Sequence, residues 1–101
     1  MNIRWTLPAE ADLLGIYDYI AADSPAAAER TSRAIVEAVE TLETHPRRGR
    51  PGRVAGTREL VVPGLPYVVV YSIGPPTVPA QPPNLAVLRV LHGAMQGPVS
   101  L

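Results

Sequence analysis

The stretch at residues 67–73 constrains this chain more than any other. It reads Tyr-Val-Val-Val-Tyr-Ser-Ile, β-branched and aromatic almost without interruption. The run is too short for a helix, and β-branched side chains fit a pleated surface better than a helical one. A strand with one wet face alternates apolar and polar residues. This one does not alternate, so it suits a strand buried on both faces. Such a strand needs paired neighbours and a layer of other structure over it.

The neighbours are legible on either side. Residues 57–62 read as a strand, joined to 67–73 by the turn Pro63-Gly64-Leu65-Pro66. Residues 85–91 read as the last strand, and residues 2–6 as a short first one ending at Thr6. The covering layer comes from the first half. Leu13, Ile16, Tyr17 and Ile20 recur at helical spacing within residues 7–22, with Thr6 and Pro8 as start signals. Asp23-Ser24-Pro25 ends that helix and opens another, Ser24 serving as N-cap and Pro25 as first helical residue. Thr31, Ile35, Ala38 and Leu42 carry the second stripe until Pro46 bounds it. So short a link makes the two helices an antiparallel hairpin. The expected fold is α+β: an N-terminal strand, then the hairpin packed on an antiparallel sheet of three to four strands, all one domain over residues 1–101. Residues 45–56 and the proline-rich segment 74–84 read as loops, the latter as a surface insertion. One helical hairpin is too small to bury both sheet faces, so an apolar face left partly uncovered is expected to mark a partner site.

Charge divides the chain as sharply as secondary structure does. Residues 1–44 hold eight acids against three arginines, a net −5; residues 45–101 hold six arginines against Glu59 alone, a net +5. The total of zero hides an acidic half and a basic half, a pattern that suits docking to a charged partner. With no cysteine, thiolate chemistry and cysteine metal sites are excluded. No His, Asp or Glu cluster has metal-ligand spacing, and no glycine-rich phosphate loop precedes a helix. No cofactor is implied. The first residues lack a leader's apolar run and no stretch reaches membrane length, so a cytoplasmic protein with no membrane association is expected.

Few residues remain as candidates for chemistry. Strict alternation places His92 on the face of Ala86, Leu88 and Val90, where it is either a general acid or a strand-end cap. Arg89 alternates with Leu85, Val87 and Leu91, so it is either a clamp on a target or the partner of an internal acid such as Glu59 or a helix carboxylate. Arg58 has the same two readings. Tyr67 and Tyr71 share a strand face and serve either as packing or as a stacking surface. Arg50 stands in a Gly-Arg element, and His45 suits the carbonyls of a helix end.

Several local motifs occur together in order. They are Trp5-Thr6, Ala9-Glu10-Ala11-Asp12-Leu13, Ile16, Tyr19-Ile20 and Pro25, then Pro46, Gly49-Arg50 and Gly52. Gly56-Thr57-Arg58-Glu59-Leu60-Val61, Pro66-Tyr67-Val68-Val69, Tyr71 and Leu88-Arg89-Val90-Leu91-His92-Gly93-Ala94 complete the set. In this order they resemble the ParE/RelE toxin superfamily of type II toxin–antitoxin systems, the ParE branch above all. The resemblance implies a toxin neutralised by a ParD-like antitoxin carrying a ribbon-helix-helix DNA-binding domain, the two forming a hetero-oligomer. ParE-like toxins inhibit DNA gyrase; RelE-like toxins cleave messenger RNA on the ribosome. The absence of lysine and the zero net charge favour gyrase as the target and make direct nucleic-acid binding a poor fit. On that reading Arg50, Arg58, Tyr67, Tyr71, Arg89 and His92 contact target or antitoxin. On the nuclease reading Arg58 and His92 are catalytic; a degenerate toxin that only binds antitoxin is the third alternative. The chain departs from the family pattern at Met95, where a basic residue is common.

Overall fold

A computed structural model describes residues 1–76 and 78–93. Met95 and the C-terminal residues after Gly93 lie outside that description. The element order is β1 (Asn2–Trp5), α1 (Leu7–Ala21), α2 (Pro25–Glu40), a 3-10 turn (Thr41–Glu43), β2 (Arg50–Pro51), β3 (Arg58–Val61), β4 (Tyr67–Gly74) and β5 (Asn84–His92).

Both helix starts form as their sequences dictate. The Thr6 hydroxyl accepts the Ala9 N–H at 3.4 Å, and the Ser24 hydroxyl accepts the Ala27 N–H at 3.1 Å. Thr6 also donates its hydroxyl to the Val87 carbonyl at 2.8 Å, which fixes the start of α1 beside β5. The five strands make one sheet in the order β1-β5-β4-β3-β2. Its four junctions are antiparallel except that β1 runs parallel to β5. The sheet is therefore mixed and one strand larger than the antiparallel sheet of three to four expected from sequence. Hairpin reasoning fixes direction only between strands joined by short links. β1 and β5 stand at opposite ends of the chain, so no turn sets their direction. The additional strand, β2, is two residues inside the segment read as a loop; its Pro51 is tolerated because β2 is an edge strand.

β4 is covered on both faces, as its composition requires. Val69 and Tyr71 face the helices, within a core that includes Ala9, Ile35, Ala38, Val39, Leu42, Leu60, Leu85 and Val87. Val68 and Val70 point the other way, yet are 5% and 1% exposed, and Leu91 beside them is 6% exposed. The expectation of an open apolar patch on that face therefore fails at these three residues. The exposed large apolar side chains lie mostly on α1 instead: Leu7, Leu14 and Tyr19.

A β-bulge changes the alternation of β5. Val70 pairs with Arg89 and Tyr71 with Val87, leaving Leu88 without an opposite number. Past this point every side chain of β5 changes face. Val90 joins Leu85 and Val87 in the core, while Leu91 leaves that stripe. His92 consequently pairs with Tyr67 on the helix side rather than sharing a face with Ala86 and Leu88. An inserted residue has no signature in an apolar strand, so strict alternation misplaced both.

Candidate functional site

The basic segment is held against the sheet by two side chains that the sequence offers as functional. Tyr71 is fully buried. Its hydroxyl accepts the Gly49 N–H at 2.9 Å and donates to the Pro46 carbonyl at 2.7 Å. In this conformation Tyr71 offers no surface to a partner and acts as the anchor of the loop. The approach is close enough that only glycine fits at position 49: a Cβ there would lie 2.6 Å from the Tyr71 hydroxyl. Arg58, opposite Tyr71 in the sheet, donates through Nη1 to the Gly49 carbonyl at 2.7 Å and, weakly, to the Arg47 carbonyl at 3.5 Å.

Beside them, an open cleft of about 330 Å³ is lined by Arg47, Pro51, Gly56, Thr57, Arg58 and Ile73. Pro51, Arg58 and Ile73 come from three adjacent strands and form its floor. Arg47 stands on the preceding loop, and Gly56-Thr57 closes one end. The left-handed backbone of Gly56, at φ 80°, lets the chain turn there.

On the other face, Glu59 organises the neighbouring arginines. Its carboxylate is buried and accepts the Arg53 N–H at 2.9 Å and Arg53 Nε at 3.3 Å; Arg50 lies 3.5 Å away. Burial pushes its pKa up, but the Arg53 hydrogen bonds and the charges of Arg53 and Arg50 outweigh burial and hold it below the usual carboxylate value. On sequence Glu59 reads only as an internal partner for an arginine such as Arg89, and the signal for its actual role was simple: it is the one acid among the six arginines of the basic half.

Arg89 is engaged as well. It pairs with Asp12 of α1 at 2.7 Å through Nε and 3.0 Å through Nη2, while Asp12 also accepts the Val90 N–H at 2.9 Å. Those hydrogen bonds raise the guanidinium pKa; burial opposes them and the Asp12 charge adds to them. Of the two acids suggested by sequence for Arg89, the helix carboxylate is the partner and Glu59 is not. β1 flanks β5 only as far as Val87. Asp12 takes over there, occupying an edge N–H that would otherwise lack a partner.

His92 is exposed, with its ring edge-on to Tyr67 at a centroid distance of 5.8 Å. Tyr67 and Tyr71, the strand partners of His92 and Arg58, stand four residues apart on β4. That spacing separates the two candidate catalytic residues by roughly 13 Å along the strand. The sheet thus brings Arg58 to Tyr71 and Arg47, and His92 to Tyr67, without bringing the two pairs together. His45 is exposed beside the Thr44 hydroxyl, at 3.0 Å. Among the described residues no His, Cys, Asp and Glu side chains gather into a metal-binding group. No described helix is long and apolar enough to cross a membrane.

Residues 3–97 match the model of a family described as the ParE toxin of type II toxin–antitoxin system, parDE. The chain belongs to the ParE toxin family. This ParE toxin is 41% identical over 97 residues to the protein named "Putative toxin Y4kP" in Sinorhizobium fredii, covering 96% of this chain and 93% of that one. It is 39% identical over 93 residues to Toxin RelE2 of Caulobacter vibrioides, covering 92% and 96% of the two chains. A solved chain of the chromosomal ParDE TA system from P. aeruginosa superposes with a TM-score of 0.75 at 29% identity, covering 91% of this chain and 95% of that one. The mixed α+β fold of this ParE toxin is the fold of that neighbour.

Proposed function

We infer that this ParE-family toxin arrests growth by binding DNA gyrase in the cytoplasm, and that a cognate ParD-like antitoxin neutralises it by covering part of its surface. The observation that carries this reading is how its arginines are engaged. Phosphodiester cleavage needs cations aimed at the reacting phosphate and an acid or base within hydrogen-bond reach of the same atoms. Arg89 is committed to Asp12, and Arg58, held to loop carbonyls through Nη1 alone, stands roughly 13 Å along the strand from His92, too far for the two to serve the same atoms. That arrangement suits a surface that binds a protein target better than one that cleaves RNA. The family match and the ParDE structural neighbour support the antitoxin half of the reading.

The second reading, a ribosome-dependent mRNA endoribonuclease, is favoured by the likeness to Toxin RelE2 and by the exposed His92 beside Tyr67. Two measurements on cells expressing the toxin separate them. Gyrase poisoning produces double-strand DNA breaks with intact transcripts. A nuclease produces transcripts cut within codons, and the cuts disappear in His92→Ala. Finding cut transcripts without DNA breaks would reverse the order of the two readings. Restoration of growth by a ribbon-helix-helix protein encoded beside the toxin gene tests the antitoxin claim separately.

A further inference from the structure

We propose that the cleft between Arg47 and Arg58 is a docking site for an acidic, apolar-flanked peptide segment of a protein partner, one of whose carboxylates sits between the two guanidinium groups. The proposal stands on the cleft itself and holds whether or not gyrase is the target.

The charge of the region comes first. Residues 45–58 carry Arg47, Arg48, Arg50, Arg53 and Arg58 and no acid. Glu59 offsets part of this, but it lies on the opposite sheet face, engaged with Arg50 and Arg53. Arg47 is exposed and forms no side-chain hydrogen bond or ion pair among the described residues. Among the described residues Arg58 donates only through Nη1, which leaves its other N–H groups for a ligand in the cleft that it lines. A guanidinium held through one nitrogen is already oriented, and orienting it in advance lowers the entropy lost when a carboxylate binds.

The rest of the lining selects among anions. Pro51 and Ile73 give the floor an apolar strip beside the charges. A peptide that follows Asp or Glu with a Leu or Val satisfies both, whereas a bare phosphate leaves the strip uncovered. The zero net charge of the chain also disfavours an extended polyanion, whose binding draws on many phosphate contacts. The loop is firm enough to serve as a docking wall, because Tyr71 and Arg58 hold both ends of the Pro46–Gly49 turn to the sheet.

The test uses the full chain and three fluorescein-labelled probes followed by anisotropy at low salt. The probes are an eight-residue peptide of alternating Glu and Leu, the same peptide with Gln for Glu, and a thymidine oligonucleotide of equal formal charge. The Glu peptide is expected to bind in preference to both others. Arg47→Ala is expected to weaken that binding about three- to tenfold, the range for losing one charged contact at a partly exposed site. Arg33→Ala, which removes an exposed cation on α2, is expected to leave it unchanged. Amide signals of Gly56 and Thr57 should shift on adding the Glu peptide. Equal binding of the Gln peptide, tighter binding of the oligonucleotide, equal losses in the two arginine variants, or no binding of the Glu peptide each overturns the proposal. So does concentration-dependent self-association that Arg47→Ala abolishes, since the acidic half of a second copy would then be the occupant.

Discussion

Replacing Tyr71 by Phe removes one oxygen from the middle of the structure. That oxygen is fully buried and serves two groups of one turn, the Gly49 N–H at 2.9 Å and the Pro46 carbonyl at 2.7 Å. Each hydrogen bond contributes a net ~1 kcal/mol to stability, and a buried group left without a partner costs about 1–3 kcal/mol. Gly49 is itself buried, so its N–H cannot simply turn to water, whereas the Pro46 carbonyl is closer to the surface. The ring is retained, so no cavity is added. The expected loss is about 2 kcal/mol, which for a domain of this size lowers the melting temperature by roughly 8–16 °C. Urea unfolding followed by circular dichroism reads the stability directly. Trypsin reads the location: Arg47 and Arg48 sit in the anchored turn, so cleavage after them should accelerate in Tyr71→Phe more than cleavage at Arg30 or Arg33 on α2. A stability change below about 0.5 kcal/mol with unchanged cleavage at Arg47 and Arg48 would refute the claim that Tyr71 holds the loop.

Other outcomes follow from the same contacts. Gly49→Ala should cost about 1–3 kcal/mol in urea unfolding, because the added methyl meets the Tyr71 ring at 2.8 Å and the Glu59 carbonyl at 2.9 Å, both firmly placed. Asp12→Ala should destabilise by about 2–3 kcal/mol, since it frees Arg89 from its two-point pairing and leaves the Val90 N–H without its acceptor; Asp12→Asn, which keeps an acceptor, should cost less. Glu59 is held below its ordinary value of 4.5, so its contribution is present above that pH and is lost as pH falls through the lower folded-state value. Glu59→Gln should accordingly be less stable than the parent at pH 7, and the difference should shrink below about pH 4.

Much of the fold was legible because local signals agreed with one another. Thr6 and Ser24 cap the helices they were expected to cap, and the unbroken apolar run of 67–73 is covered on both faces. Where legibility ended, the cause was a feature with no local signature. The direction of β1 depends on β5, at the far end of the chain. β2 hides in a Pro, Gly and Arg composition that reads as a loop, since an edge strand of two residues needs no β propensity. The bulge at Leu88 moved Leu91 and His92 to the opposite faces from those that alternation assigns. The candidate residues divide in the same way. Arg58 and Arg50 were visible as charges of the basic half, but their engagement was not, because Gly49 and Glu59 reach them only through sheet pairing. Tyr71 was visible as one of an aromatic pair, yet its hydroxyl's partners lie more than twenty residues away, beyond the reach of periodicity.

The central claim is that this ParE-family toxin acts on gyrase, and the most direct measurement is a supercoiling assay with antitoxin-free toxin and purified gyrase. The account predicts dose-dependent loss of supercoiling or accumulation of cleaved DNA. Undisturbed supercoiling, from protein shown by circular dichroism to be folded, would contradict it and leave the ribosome as the target to examine.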